Sequence, residues 1–168
     1  MNNEPDCRHC GAPAPAEGGG CAAHFNALLA LEWRVMMEVL GYVVGARPGE
    51  SPGERVHFLA VASFNLQHPA AFAPAFRDGL RASLTQVLAG QKSLGALRHE
   101  TRVAGNGSTR VLAQRVGNVA DAPAPLAGWP MRWSVTVADI VPVAPEDYIA
   151  AVERWARSVA AELRMAGK

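Results

Sequence analysis

Residues 54–69 read Glu54-Arg55-Val56-His57-Phe58-Leu59-Ala60-Val61-Ala62-Ser63-Phe64-Asn65-Leu66-Gln67-His68-Pro69. Val56, Phe58, Leu59, Val61, Phe64 and Leu66 spread round the whole helical wheel, so this helix has no face to give to water. Such a helix is central in its fold. Pro69 stops it, because the residue before a proline is pushed out of the α region. The pattern predicts a helix over 54–67, with His68 just past its end and His57 near its start.

Working outward, Phe25, Leu28, Leu29, Met36, Val39 and Leu40 recur at helical spacing from residue 22. They predict an earlier helix that ends near Gly41 or Gly45. A turn with Pro48 and Pro52 follows, short enough for the two helices to pack antiparallel. A third helix is expected over 74–88, with Phe76, Leu80, Leu84, Val87 and Leu88 on one stripe, and a short helical turn within 90–100.

The period then changes. Asn106-Gly107 between β-prone runs predicts a hairpin within 101–119. Residues 131–137 alternate apolar and polar, which predicts a half-buried strand. Pro145-Glu146-Asp147 opens a final helix, with its proline near the first position and acids in the first turn. Its stripe is Tyr148, Val152, Trp155, Val159 and Leu163. The expected class is mainly α (α+β): a helical bundle with an N-terminal zinc knuckle and a small β-hairpin/strand region before the last helix. One domain is expected over 1–168, divided into a metal knuckle (1–21), helices (22–100), a β region (101–143) and a C-terminal helix (145–166).

The 168 residues carry a formal charge of +1, with no run of Lys or Arg. Nucleic-acid binding through phosphate neutralisation needs a basic stripe, so no nucleic-acid partner is expected. The N-terminal residues lack the charged and apolar regions of a secretory signal. The longest apolar stretch, 25–44, is interrupted by Glu32, Arg34 and Glu38, so no membrane span is expected. These features predict a cytoplasmic chain. An odd number of cysteines, three, then points to metal binding or thiol reactivity and away from disulfides.

Cys7-x2-Cys10-Gly11 has the form of a zinc knuckle, in which a tight turn brings two thiolates to one ion and the glycine permits the turn. Cys21 follows at loop distance as a third ligand. A structural zinc site needs a fourth. His24 completes a CxxC/CxxH pattern by spacing. His68 is favoured by geometry, because an antiparallel hairpin brings the start of the first helix, at Cys21, to the end of the second. His57 ranks third, about 16 Å farther along at 1.5 Å per residue. His9 is expected to be solvated and His99 to lie on the surface.

Glu32 falls on the apolar stripe of the first helix, level with His57 by the same arithmetic. A Glu–His hydrogen bond that fixes helix pairing is one reading. An acid/base pair in a pocket is the other, which makes Glu32 and His57 the catalytic candidates. Asn65 and Gln67 add polar groups nearby, while Trp129, Trp133 and Trp155 read as core or pocket wall. No GxSxG, HExxH, P-loop or dinucleotide fingerprint occurs.

Through Cys7-Arg8-His9-Cys10-Gly11, Cys21, the Leu28-Leu29-Ala30-Leu31-Glu32 run and Leu66-Gln67-His68-Pro69, the chain resembles an uncharacterised bacterial family of unknown function. The resemblance covers about residues 7–69, and the tryptophan-bearing final helix looks similar too. It implies that Glu32, His57 and His68 belong to the family pattern and that the position of His24 varies. Phe58 stands where a second histidine often follows His57. The expected function is a small zinc-binding protein, its metal mainly structural, that binds a partner protein or small ligand. An enzyme using an open three-thiolate zinc site with Glu32 and His57 is the alternative, and a zinc-dependent regulator that docks another protein is a third reading.

Overall fold

The computed structural model of the chain describes residues 6–38, 52–94, 96–97 and 126–166. Among them are the α-helices α1 (Gly20–Glu38), α2 (Pro52–Gln67), α3 (Pro74–Leu88), the single turn α4 (Val137–Ile140) and α5 (Tyr148–Ala166), and residues 94, 96 and 97 are helical too, within the short turn expected over 90–100. Short 3-10 turns at Pro69–Ala71 and Pro145–Asp147 lead into α3 and α5.

The all-round apolar helix is the central one. From Leu59 to Gln67 every residue of α2 is buried, and α2 lies chiefly against α5, with α3 on another side. On α5 the buried stripe is Tyr148, Ala151, Val152, Trp155, Ala156, Val159, Ala160 and Leu163. Ala151, Ala156 and Ala160 alternate there with large side chains, so the two helices can approach closely and still interdigitate. The α1 stripe of Cys21, Phe25, Leu28, Glu32 and Val35 faces the same core.

α1 and α2 run antiparallel, and three pairs record the register. Cys21 clusters with His68 at one end. Phe25 stacks on Phe64 with ring centres 4.2 Å apart. Glu32 meets His57 at 2.7 Å at the other end. Each step forward on α1 is matched by an equal step back on α2.

The β region is corrected where it is described. The hairpin around Asn106-Gly107 lies outside the described residues. Residues 131–137 form bends and the start of α4, and no strand occurs among the described residues. Two side chains and one backbone bond to the knuckle, and not a neighbouring strand, hold the backbone of this segment. Gln67 Nε2 donates to the carbonyl of Val135 at 2.7 Å, and Glu162 accepts from the N–H of Ser134 at 3.2 Å. Thr136 and Asp139 then form a capping box that starts α4. The apolar/polar alternation is real at Trp133, but Met131 is exposed and Thr136 is buried, so period 2 fails at both ends.

Among the described residues, no helix is long and apolar enough to cross a membrane.

Candidate metal centre

The knuckle is built by its own backbone. The N–H of Gly11 donates to the carbonyl of Cys7 at 2.7 Å, and the N–H of Cys7 donates to the carbonyl of Ala12 at 2.8 Å. Closing that loop requires Gly11 at φ +76°, in the left-handed region that favours glycine. The backbone N–H of Cys10 points at the Cys7 sulfur, and that of Ala12 at the Cys10 sulfur. The knuckle is pinned to the core from outside by the backbone N–H of Trp133, which donates to the carbonyl of Cys10 at 3.3 Å.

Cys21 enters on the first turn of α1, and His68 enters just past the end of α2, where Pro69 has broken the helix. The ligating atoms of Cys7, Cys10, Cys21 and His68 all lie within 4.8 Å of one another. Cys10, Cys21 and His68 are buried, and Cys7 is partly exposed. Cys10 Sγ lies 3.4 Å from Cys21 Sγ, and Cys7 Sγ lies 3.7 Å from His68 Nε2. A tetrahedral zinc ion, with bonds of about 2.3 Å to sulfur and 2.0–2.1 Å to nitrogen, sets donor–donor edges of roughly 3.5–3.8 Å. The four residues therefore fit zinc in number, chemistry and spacing.

The imidazole is prepared for the role. His68 Nδ1 is 2.7 Å from the carbonyl of Phe64, one helical turn back, and a carbonyl can only accept. Nδ1 therefore carries a proton, which leaves Nε2 as the ring atom directed at the sulfurs. The Phe64 ring, with its centre 4.3 Å away, fixes the plane of the imidazole.

Three sulfurs this close share their protons unequally. Hydrogen bonds from the Cys10 and Cys21 thiols hold Cys7 far below the ordinary thiol range. Cys21 is pushed far up by its bonds to Cys10 and Cys7 and by burial. At Cys10 the bond from Cys21 pulls down, while the bond to Cys7 and burial push up, leaving it at about 12. Thiols whose protons are held this firmly must give them up to ligate, so binding a divalent cation there releases protons.

The other histidines are sorted by their neighbours. His24 lies on α1 with Nε2 3.0 Å from the carbonyl of Pro13, away from the cluster. His57 belongs to the Glu32 end, about 16 Å along α2 from His68 at the rise of an α-helix. His99 is outside the described residues. His9 is corrected: it is 4% exposed and not solvated, because the knuckle folds its ring inward to 6.1 Å from that of His68.

Glu32 is buried and accepts two hydrogen bonds. His57 Nδ1 is 2.7 Å from Oε1, and the phenol of Tyr148, from α5, donates to Oε2 at 2.8 Å. The His57 side chain is 51% exposed, so its ring links the buried carboxylate to the surface. Tyr148 was not singled out as a site residue because it fits the apolar stripe of α5. Only the placing of the Pro145–Asp147 turn against α1, with Tyr148 directly after it, reveals the hydroxyl as a partner of Glu32.

A family model matches residues 5–164, from the knuckle into α5. The chain belongs to this family, DUF5946, a family of unknown function. No curated protein and no solved structure matches the chain. Membership of DUF5946 agrees with the expected resemblance to a family of unknown function and assigns no activity, so the chemistry of the site carries the functional reading.

Proposed function

We propose that Cys7, Cys10, Cys21 and His68 hold one zinc ion in a closed, structural site. In this reading the chain, as one domain, is a zinc-stabilised helical module that works by binding a partner protein or a small ligand. The observation that carries it is a complete set of four protein donors, three of them on buried residues. Structural zinc sites use four protein ligands, whereas catalytic sites keep one position for water. Zinc bound here supplies a cross-link between the N-terminal segment, the start of α1 and the end of α2. His68 is 47 positions beyond Cys21, so the loop closed between them is long and the cross-link constrains the unfolded chain strongly.

Metal content and thermal unfolding test this reading. The full chain should purify with about one zinc per molecule, and the Cys10→Ser/Cys21→Ser variant with almost none, as expected when two of four donors are removed. Chelation should lower the unfolding midpoint of the wild type. A wild-type chain without zinc, or one whose unfolding ignores chelation, would sink it.

A second reading is favoured by the geometry of Glu32. A buried carboxylate that orients a half-exposed imidazole is the orienter–base part of an acid/base site. Here His57 would move a proton at Nε2, with Glu32 and Tyr148 fixing the ring. Turnover of a small-molecule substrate that is lost in Glu32→Gln and His57→Ala, with zinc retained, would establish it. Identical turnover in those variants would reject it.

A further inference from the structure

His9 occupies the third position of the knuckle, between Cys7 and Cys10, and its ring is folded into the protein. Both of its ring nitrogens are buried, and neither has a hydrogen-bond partner. Buried polar groups are almost always paired, and a histidine with two orphaned nitrogens calls for an explanation. A histidine merely filling space beside the knuckle would be replaced by an apolar residue at no loss.

The neighbours of the ring supply the explanation. The Cys7 sulfur and the His68 ring are close enough to act on it electrostatically. Its centre is 6.1 Å from that of His68, with the planes tilted by 55°. Two imidazoles bound to one tetrahedral zinc ion have ring centres roughly 5 Å apart, from bonds of 2.0–2.1 Å plus the ring radius. The observed separation is about 1 Å more than that, so the His9 ring lies beside the four-donor cluster without belonging to it.

We propose that His9 is a reserve metal ligand, giving the cluster five donors for four positions. Resting on the zinc reading above, it assigns to this chain a site that keeps its ion when one ligand is lost. Cys7 is the sulfur most open to such loss, because it alone among the three is partly exposed. When Cys7 or His68 is removed, the ring of His9 turns into the vacated position and completes the tetrahedron with a neutral nitrogen.

Zinc affinity and X-ray absorption on the full-length chain test this, with the ion alone as probe. The set is wild type, His9→Ala, Cys7→Ala, Cys7→Ala/His9→Ala, His68→Ala and His68→Ala/His9→Ala, with circular dichroism on each. The wild type and His9→Ala should bind one zinc alike. Cys7→Ala should keep the ion with two sulfur and two nitrogen neighbours, and His68→Ala with three and one. Adding His9→Ala to either should weaken zinc binding by tenfold or more, roughly the effect of losing a supporting ligand group. If each single variant matches its double, in affinity or in failure to bind, the inference is overturned while the zinc site stands. If the wild type binds no zinc, the zinc reading itself has failed, and the inference with it. Should His68→Ala not fold, the Cys7 pair decides the matter.

Discussion

Tyr148 and Glu32 are 116 positions apart in the chain, and the phenol donates to the buried carboxylate at 2.8 Å. Together with His57 on the other oxygen, this bond joins α1, α2 and α5 at the end of the bundle opposite the cysteines. A buried carboxylate held between two donors is costly to strip of either one. Tyr148→Phe removes only the hydroxyl and keeps the ring packed. It should destabilise the protein by about 1.5–3 kcal/mol, the range for hydrogen bonds to charged groups, as read from denaturant unfolding. A loss below half a kilocalorie would show that water replaces the phenol.

The same contact predicts an alkaline dependence. Burial, then the charge of Glu32 and the hydrogen bond to it, push the Tyr148 phenol above its ordinary value of 10.0. The folded state therefore keeps a proton that the unfolded state gives up above pH 10. This contribution is fully present below pH 10 and is lost as pH rises beyond it, by up to about 1.4 kcal/mol per pH unit. Tyr148→Phe should show a flatter decline between pH 10 and 11.5 than the wild type. Parallel declines would remove Tyr148 as the cause.

The glycine of the knuckle gives a local test. Gly11 sits at φ +76°, and a Cβ there would meet Arg132 Cγ at an ordinary 3.4 Å. The strain of Gly11→Ala is thus in the backbone, about 1–2 kcal/mol for an L-residue in the left-handed region. Because the same turn aims the Cys7 and Cys10 sulfurs, zinc affinity should fall about tenfold, as 1.4 kcal/mol implies. Unchanged affinity with lowered stability would mean that the turn holds its shape without the glycine.

The two histidines away from the cluster should behave differently from each other. His24→Ala should keep zinc and lose no more than about 1 kcal/mol, the usual net worth of a hydrogen bond such as the one to the Pro13 carbonyl. His57→Ala should also keep zinc but lose about 1–2 kcal/mol, because Glu32 Oε1 gives up its partner. Loss of zinc from His24→Ala would place that residue in the site against the geometry described above.

Much of this arrangement was legible in the residues alone, and the reason is helix geometry. Periodicity at 3.6 residues located α3 and α5 and the core of α1 and α2, since helices are local and each turn repeats the same constraint. Pro69 fixed where α2 ends, and with it the place of His68. Antiparallel register then put Cys21 near His68 and Glu32 near His57 by counting residues along two rods of known rise.

What lay outside the residues' reach was every relationship set by packing between distant segments. The alternation over 131–137 reads as a strand, yet a strand needs a partner, and here Gln67 and Glu162 side chains satisfy the backbone while Thr136 starts a helix. The burial of His9 follows from how the knuckle lies on the end of α2, and its polar neighbourhood in the chain conceals that. Tyr148 meets Glu32 because the Pro145–Asp147 turn, which leads into α5, lies against α1. The sequence by itself determined the helices and the three cysteines as candidate metal ligands, because those depend on local spacing. The tertiary structure decided which histidine faces the sulfurs and which tyrosine holds the acid, because those depend on where rods of fixed pitch come to rest against one another.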